Sequence, residues 1–152
     1  MMQPMTMLRE HIETSLSIDE AFAFVADFAN ASHWDPGVAT SDRIDDGPVR
    51  VGARYRLGVR MGGRVAPMEY EITAYEPSRR VVLTGWGSGV AAVDDISFEA
   101  TTSGTRIDYT ADIRLRGLRR LAAPFAGDSF ARIARQARDG IQRALDERAA
   151  AG

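Results

Sequence analysis

From Val38 to about Leu115 the chain repeats apolar and polar residues with a period of two, in successive runs broken only by short turns. After that run comes one long stretch, roughly 128–149, with helical spacing. Ahead of it lie a single strand-like segment and a short aromatic patch, 18–36, ending in His33-Trp34-Asp35-Pro36. This order restricts the fold severely. A curved antiparallel sheet has two faces, and one long helix covers only part of one. The space between sheet and helix is then either filled or hollow, and a hollow one would be a container for something apolar.

The local signals are consistent with that order. Leu8 to Thr14 alternates weakly and reads as a first strand. Ser17 and Glu20 form an S-x-x-E capping box, and Ile18, Ala21, Phe22, Val25 and Phe28 recur at helical spacing behind it. Asn30 is placed to cap a second short helix that stops before Pro36. The two short helices make a V-shaped brace. In the strand region Tyr55, Leu57, Val59 and Met61 share one face, with Arg54, Arg56 and Arg60 on the other. Gly62-Gly63 predicts a tight hairpin. Met68, Tyr70 and Ile72 alternate with Glu69, Glu71 and Thr73. Val81 to Leu83 resumes after Pro77, and Trp86 sits between glycines. Ile96 and Phe98 alternate with Ser97 and Glu99, and Ile107, Tyr109, Ala111, Ile113 and Leu115 form the last strand. Polar-out alternation of this kind predicts an antiparallel sheet with one wet face. Gly117 ends the strands, Leu118 to Ala123 reads as a helical turn, and Pro124 with Gly127 interrupts it. Asp128 is then the cap of the final helix, whose apolar side carries Phe130, Ile133, Ala134, Ala137, Ile141, Ala144 and Leu145. Small residues on a helix facing a curved sheet either allow close approach or leave room.

Composition limits the chemistry. The 152 residues predict one domain, 1–152, able to remove about 70% of its unfolded surface from water. Cysteine is absent, which removes disulfides, thiolate catalysis and Cys-based metal sites. The two histidines lie on different elements without the spacing of a metal motif; His11 shares its strand face with Arg9 and Glu13, and His33 sits beside Trp34. No glycine-rich phosphate loop and no GxSxG elbow is present. Neither a metal nor a cofactor is expected. Met1 to Arg9 does not read as a targeting signal, so the expected location is the cytoplasm. Net charge is −2, yet residues 113–152 hold nine Arg against four acids. A solvated helix face, with Arg stems lying over apolar surface, is the simplest account of that bias. Nucleic acid is not an expected partner, because the charge is not interleaved with exposed aromatics.

Several motifs together resemble the START-related SRPBCC superfamily, in particular its polyketide cyclase/dehydrase and lipid-transport group. They are Ala21-Phe22-Ala23-Phe24-Val25-Ala26-Asp27-Phe28, His33-Trp34-Asp35-Pro36-Gly37, and Tyr70-Glu71-Ile72-Thr73-Ala74-Tyr75-Glu76-Pro77. Ile96-Ser97-Phe98-Glu99 leading to Gly104-Thr105-Arg106-Ile107, and the Gly117 junction, complete the match. The resemblance implies an α+β helix-grip fold: a seven-stranded antiparallel sheet curved around a long C-terminal helix, with an apolar tunnel between them.

Given such a tunnel, the inward parity offers Tyr55, Leu57, Val59, Met61, Met68, Tyr70, Ile72, Asp94, Ile96, Phe98, Tyr109 and Ile113. Trp34 and Trp86 fall at element ends, where a mouth would lie, and the helix contributes Phe130, Ala134, Ala137 and Ile141. Plain core packing is the alternative for each aromatic. Asp94 is the most pointed residue, since it shares parity with Ile96 and Phe98, whereas Asp95 goes with Ser97 and Glu99. A carboxylate on an apolar face must be paired or neutralised, which is the profile of a general acid or base. Otherwise strand pairing starts after Asp94, or a bulge turns it outward. The expected partner is a small hydrophobic, lipid-like or polyketide-like molecule, carried or sequestered by a monomer or homodimer. The alternative is a cyclase or dehydratase in which Asp94, Tyr70 and Tyr109 move protons. The resemblance implies a cavity arginine for aromatase chemistry, and Arg54, Arg56 and Arg60 all have outward parity, which argues against that chemistry unless a bulge near Gly58 reverses the register. A membrane surface, met through Leu118 to Phe125 and the arginine-rich helix, ranks last among the partners.

Overall fold

The computed structural model describes residues 5–116 and 123–152, with side chains described for 7–116 and 131–152. Its elements run β1 (Met5–Thr14), α1 (Ile18–Ala26), a single 3-10 turn (Phe28–Asn30), α2 (Ala31–Trp34), β2 (Val38–Arg43), β3 (Arg54–Met61), β4 (Arg64–Glu76), β5 (Arg80–Gly87), β6 (Val90–Thr101), β7 (Gly104–Leu115) and α3 (Ala123–Ala151). The seven strands form one antiparallel sheet in the order β1-β7-β6-β5-β4-β3-β2. Consecutive strands from β2 to β7 are neighbours, while β1 closes on β7, so α1 and α2 must bridge from one edge of the sheet to the other. This is the helix-grip arrangement.

The brace is built as its caps dictate, with one change. Ser17 accepts the Glu20 N–H and donates to the Glu20 carboxylate, closing the expected capping box. Asn30 does not cap α2; its amide donates to the Phe24 carbonyl at 3.0 Å, and Asp27 caps the turn instead by accepting from the Ala29 N–H at 3.1 Å. The reason is spacing. The helix breaks at Asp27, one turn earlier than a cap at Asn30 requires, and an aspartate there is the better acceptor.

Two corrections apply at the other end of the chain. α3 begins at Ala123 and passes through Pro124 and Gly127, so Asp128 lies inside the helix and not at its N-terminal boundary. Proline in a first turn is tolerated because no intrahelical donor is needed there. Gly117 and Leu118 to Ala122 lie outside the described residues, as do the side chains of Phe125 and Phe130.

Packing is uneven along the sheet. At the brace end Phe22 meets Phe98 and Tyr75 at ring-centroid distances of 5.0 and 5.4 Å, and Phe28 meets Trp34, Tyr70 and Tyr55 between 5.4 and 6.3 Å. With Ile72, Leu83, Ile96 and Ile107 these rings make a filled core. α3 reaches the sheet mainly along β1 and meets α2 on its other side, without lying on the central strands. Gly140 makes the α2 contact very close: a Cβ there would stand 1.8 Å from the Trp34 carbonyl oxygen. The helix is thus clamped at its middle, and its preceding turns span a space opposite β3–β7.

Candidate functional site

That space is a cavity of about 410 Å³, within the range of small-molecule sites. Its hollowness follows from side-chain size. The inner face carries Ala92 on β6 and Ala111 on β7, and α3 presents Ala134 and Ala137 opposite them. Between Tyr70 and Ala92 in the same cross-strand row sits Gly85, and a Cβ there would be 2.4 Å from the Tyr70 ring. The missing side chain lets the Tyr70 ring lie across β5. The rest of the wall is mainly apolar: Leu8, Val38, Val59, Met61, Met68, Val90, Ile113, Leu115 and Ile141.

Asp94 points into this cavity and is only 7% exposed. Pairing of β6 with both neighbours is continuous from Val90, so no bulge turns Asp94 outward and the inward parity holds. Its Oδ2 accepts the hydroxyl of Tyr109, which lies diagonally across the β6–β7 pair, since Asp94 is registered with Ala111 and Ile96 with Tyr109. Burial pushes the Asp94 carboxyl up to about 7; the Tyr109 hydroxyl pulls against that shift, and the charge of Asp35 adds to it. Burial likewise holds Tyr70 and Tyr109 well above the usual phenol range, with Asp94 reinforcing both. Trp34 packs edge-on against Tyr109 at 6.1 Å and so braces the hydroxyl's position from behind.

The sequence-expected residues divide between wall and core. Val59, Met61, Met68, Tyr70, Asp94, Tyr109, Ala134, Ala137 and Ile141 lie on the cavity wall. Trp34, Tyr55, Leu57, Ile72, Ile96 and Phe98 face inward but belong to the packed core at the brace end. Parity alone cannot separate these two sets, because it does not reveal where along the strand the helix stops touching the sheet. Trp86 is a correction: Val81, Leu83 and Gly85 take the inner face of β5, which leaves Trp86 on the outer face and 40% exposed. Phe130 falls among the side chains that are not described.

Arg60 departs from its expected place. It has outward parity, yet Val59, Arg60, Met61 and Gly62 all line the cavity. β2 carries an irregularity between Val38 and Thr40, opposite the Gly58–Val59 end of β3. There the Arg60 N–H donates to the Gly37 carbonyl at 2.8 Å and its guanidinium to the Pro36 carbonyl at 3.1 Å. The twisted strand end wraps around the rim, so alternation no longer sorts its side chains. Arg60 therefore reaches the mouth, while Arg54 and Arg56 pair with Glu69 on the outer face.

Sequence reasoning missed Asp35, Glu10 and Arg138, all on the wall. Asp35 follows α2 and accepts the Gly37 N–H at 2.8 Å, and burial raises its carboxyl. Its place in an Asp-Pro-Gly turn was the available signal. Glu10 has the parity of Leu8 and Ile12, and Arg138 lies one turn from Ala134 and Ile141. Arg138 meets Glu10 at 3.6 Å across the β1–α3 side of the opening. His11 and His33 are both exposed, His11 pairing with Asp108 on the outer surface. Among the described residues no three His, Asp or Glu side chains converge as a metal site.

The sequence matches the profile of the polyketide cyclase / dehydrase and lipid transport family over residues 5–147. No curated protein matches it significantly. Among solved structures, the fold is similar to a START superfamily protein from Mycobacterium smegmatis (TM-score 0.72, 15% identity, covering 93% of this chain and 95% of that one). It is also similar to the Zhui aromatase/cyclase from Streptomyces sp. R1128 (TM-score 0.73, 13% identity, covering 93% and 91%). At these identities the likeness is one of fold.

Proposed function

The chain belongs to the polyketide cyclase / dehydrase and lipid transport family, and on that footing we propose that it binds a small, largely hydrophobic molecule in the cavity between α3 and the sheet. The observation that carries this reading is the apolar hollow itself. Four alanines face one another across it where larger side chains would have filled it. Native proteins rarely keep such voids without use, because each unfilled methylene-sized space costs stability. The Tyr70 and Tyr109 hydroxyls and Asp94 give the few polar points that orient a ligand in an apolar site. Native mass spectrometry of protein purified from its own host tests the reading. A bound mass of a few hundred daltons that disappears on denaturation supports it. A preparation that carries none, and that takes up no apolar molecule on incubation, contradicts it.

A second reading, catalysis of the cyclase or dehydratase type, is favoured by one specific arrangement, the buried Asp94–Tyr109 pair. A carboxyl that titrates near 7 can take a proton from carbon beside a ligand carbonyl and later return it to a leaving hydroxyl, which departs as water. The Tyr70 phenol would donate a hydrogen bond to the enolate oxygen meanwhile. This chemistry predicts that the protein speeds deuterium exchange beside the carbonyl of a long-chain methyl ketone by roughly 10²-fold or more, and that Asp94→Asn abolishes it. Exchange at the buffer rate would eliminate this reading and leave the binding one standing.

A further inference from the structure

We propose that the cavity selects a ligand bearing a protonated amine, seated between Asp94 and Asp35, on an otherwise apolar body. The inference rests on the cavity being a ligand site and specifies what kind of head group it takes.

The charged or titratable groups on the wall are Glu10 on β1, Asp35 after α2, Arg60 on β3, Tyr70 on β4, Asp94 on β6, Tyr109 on β7 and Arg138 on α3. Both cations stand at the rim and are engaged there. Arg60 is exposed and donates to the Pro36 carbonyl, and Arg138, 41% exposed, meets Glu10 at 3.6 Å and Asp139 at 2.8 Å. What remains inside is two carboxyls and two phenols.

Those interior groups have fewer donors than acceptors, the Tyr70 hydroxyl being the one donor left unspent. Tyr109 already spends its hydroxyl proton on Asp94 Oδ2. Asp94 Oδ1 and the hydroxyl of Tyr70, on residues 7% and 8% exposed, have no hydrogen-bond partner among the described residues. Neither is sealed off in the way that the Trp34 indole N–H and the Tyr55 hydroxyl are, so both open onto the cavity. Asp35 and Asp94 also repel each other across the space, and no arginine offsets Asp94. A ligand offering only carbonyl oxygens would be met by the Tyr70 hydroxyl alone and would leave the two carboxyls unanswered. An ammonium supplies three N–H donors and the missing charge, and the faces of Tyr70 and Tyr109 favour a cation near them.

Calorimetric titration at pH 8 with 2-(2-naphthyl)ethylamine, 2-(2-naphthyl)ethanol and 2-naphthylacetate tests this. The amine should bind about tenfold or more tighter than the alcohol, with the carboxylate weakest. Asp94→Asn should erase the amine's advantage over the alcohol; Asp35→Asn should cut that advantage by a smaller factor. Lowering the pH to 6 should weaken the amine alone, because Asp94 then carries a proton. Equal binding of all three probes would overturn the amine inference and leave the container intact, as would an advantage that survives Asp94→Asn. If none of the probes binds, both fall.

Discussion

Asp94 carries the energetic tension of this molecule. Burial pushes its carboxyl from the ordinary 3.8 up to about 7, which makes it a liability to folding at neutral pH. Below about pH 4 it is protonated in the folded and unfolded chain alike and has no effect. Between about 4 and 7 the unfolded chain releases the proton and the folded one keeps it, so stability falls as pH rises, and above 7 the loss is constant. The total is about 4 kcal/mol, an order-of-magnitude figure. Asp94→Asn keeps an acceptor for Tyr109 and removes that loss. We expect the variant to be more stable than the wild type by up to about 4 kcal/mol at pH 8 and indistinguishable at pH 4, by urea denaturation at the two pH values. A residue kept in spite of such a cost is the residue to examine for function. Tyr109→Phe removes the hydroxyl that holds the carboxyl down, and its carbon-13 titration should move above 7; an unmoved titration would mean the hydrogen bond has no hold on the carboxyl.

At the scale of elements, α3 is set by two features of opposite kind. Gly140 lets it touch the Trp34 carbonyl, and Ala134 with Ala137 leaves the space between it and the central strands unfilled. Gly140→Ala places a methyl against backbone that cannot move aside, and we expect a loss of about 1–3 kcal/mol together with a displaced helix, read from thermal unfolding. These elements were largely readable beforehand. The capping box at Ser17 and Glu20, the glycine hairpin at 62–63 and the alternation of β4, β6 and β7 each rest on local physics, and local physics is written in the sequence. The failures have the opposite origin. Where α3 begins and how Arg60 reaches the rim depend on strand twist, on register slips and on neighbours far along the chain, whereas the outward face of Trp86 follows the plain alternation of Val81, Leu83 and Gly85.

At the scale of the whole molecule, the fold divides its interior into a filled end and an empty one. Aromatic residues from α1 and α2 fill the first, and four alanines leave the second open. Parity put Asp94 with Ile96 and Phe98 but left its orientation open, because a bulge or a later start to strand pairing would have turned it outward. The split between wall and core was not readable either, since Leu57 and Val59 obey the same alternation yet one packs and the other lines the hollow. The most direct test fills the hollow from α3 with Ala137→Trp and titrates both proteins with the uncharged fluorophore N-phenyl-1-naphthylamine. We expect saturable one-to-one binding by the wild type, and at least tenfold weaker binding by a variant whose circular dichroism and thermal stability are unchanged. Equal affinity in the two proteins, or no saturable binding by the wild type, would contradict the account.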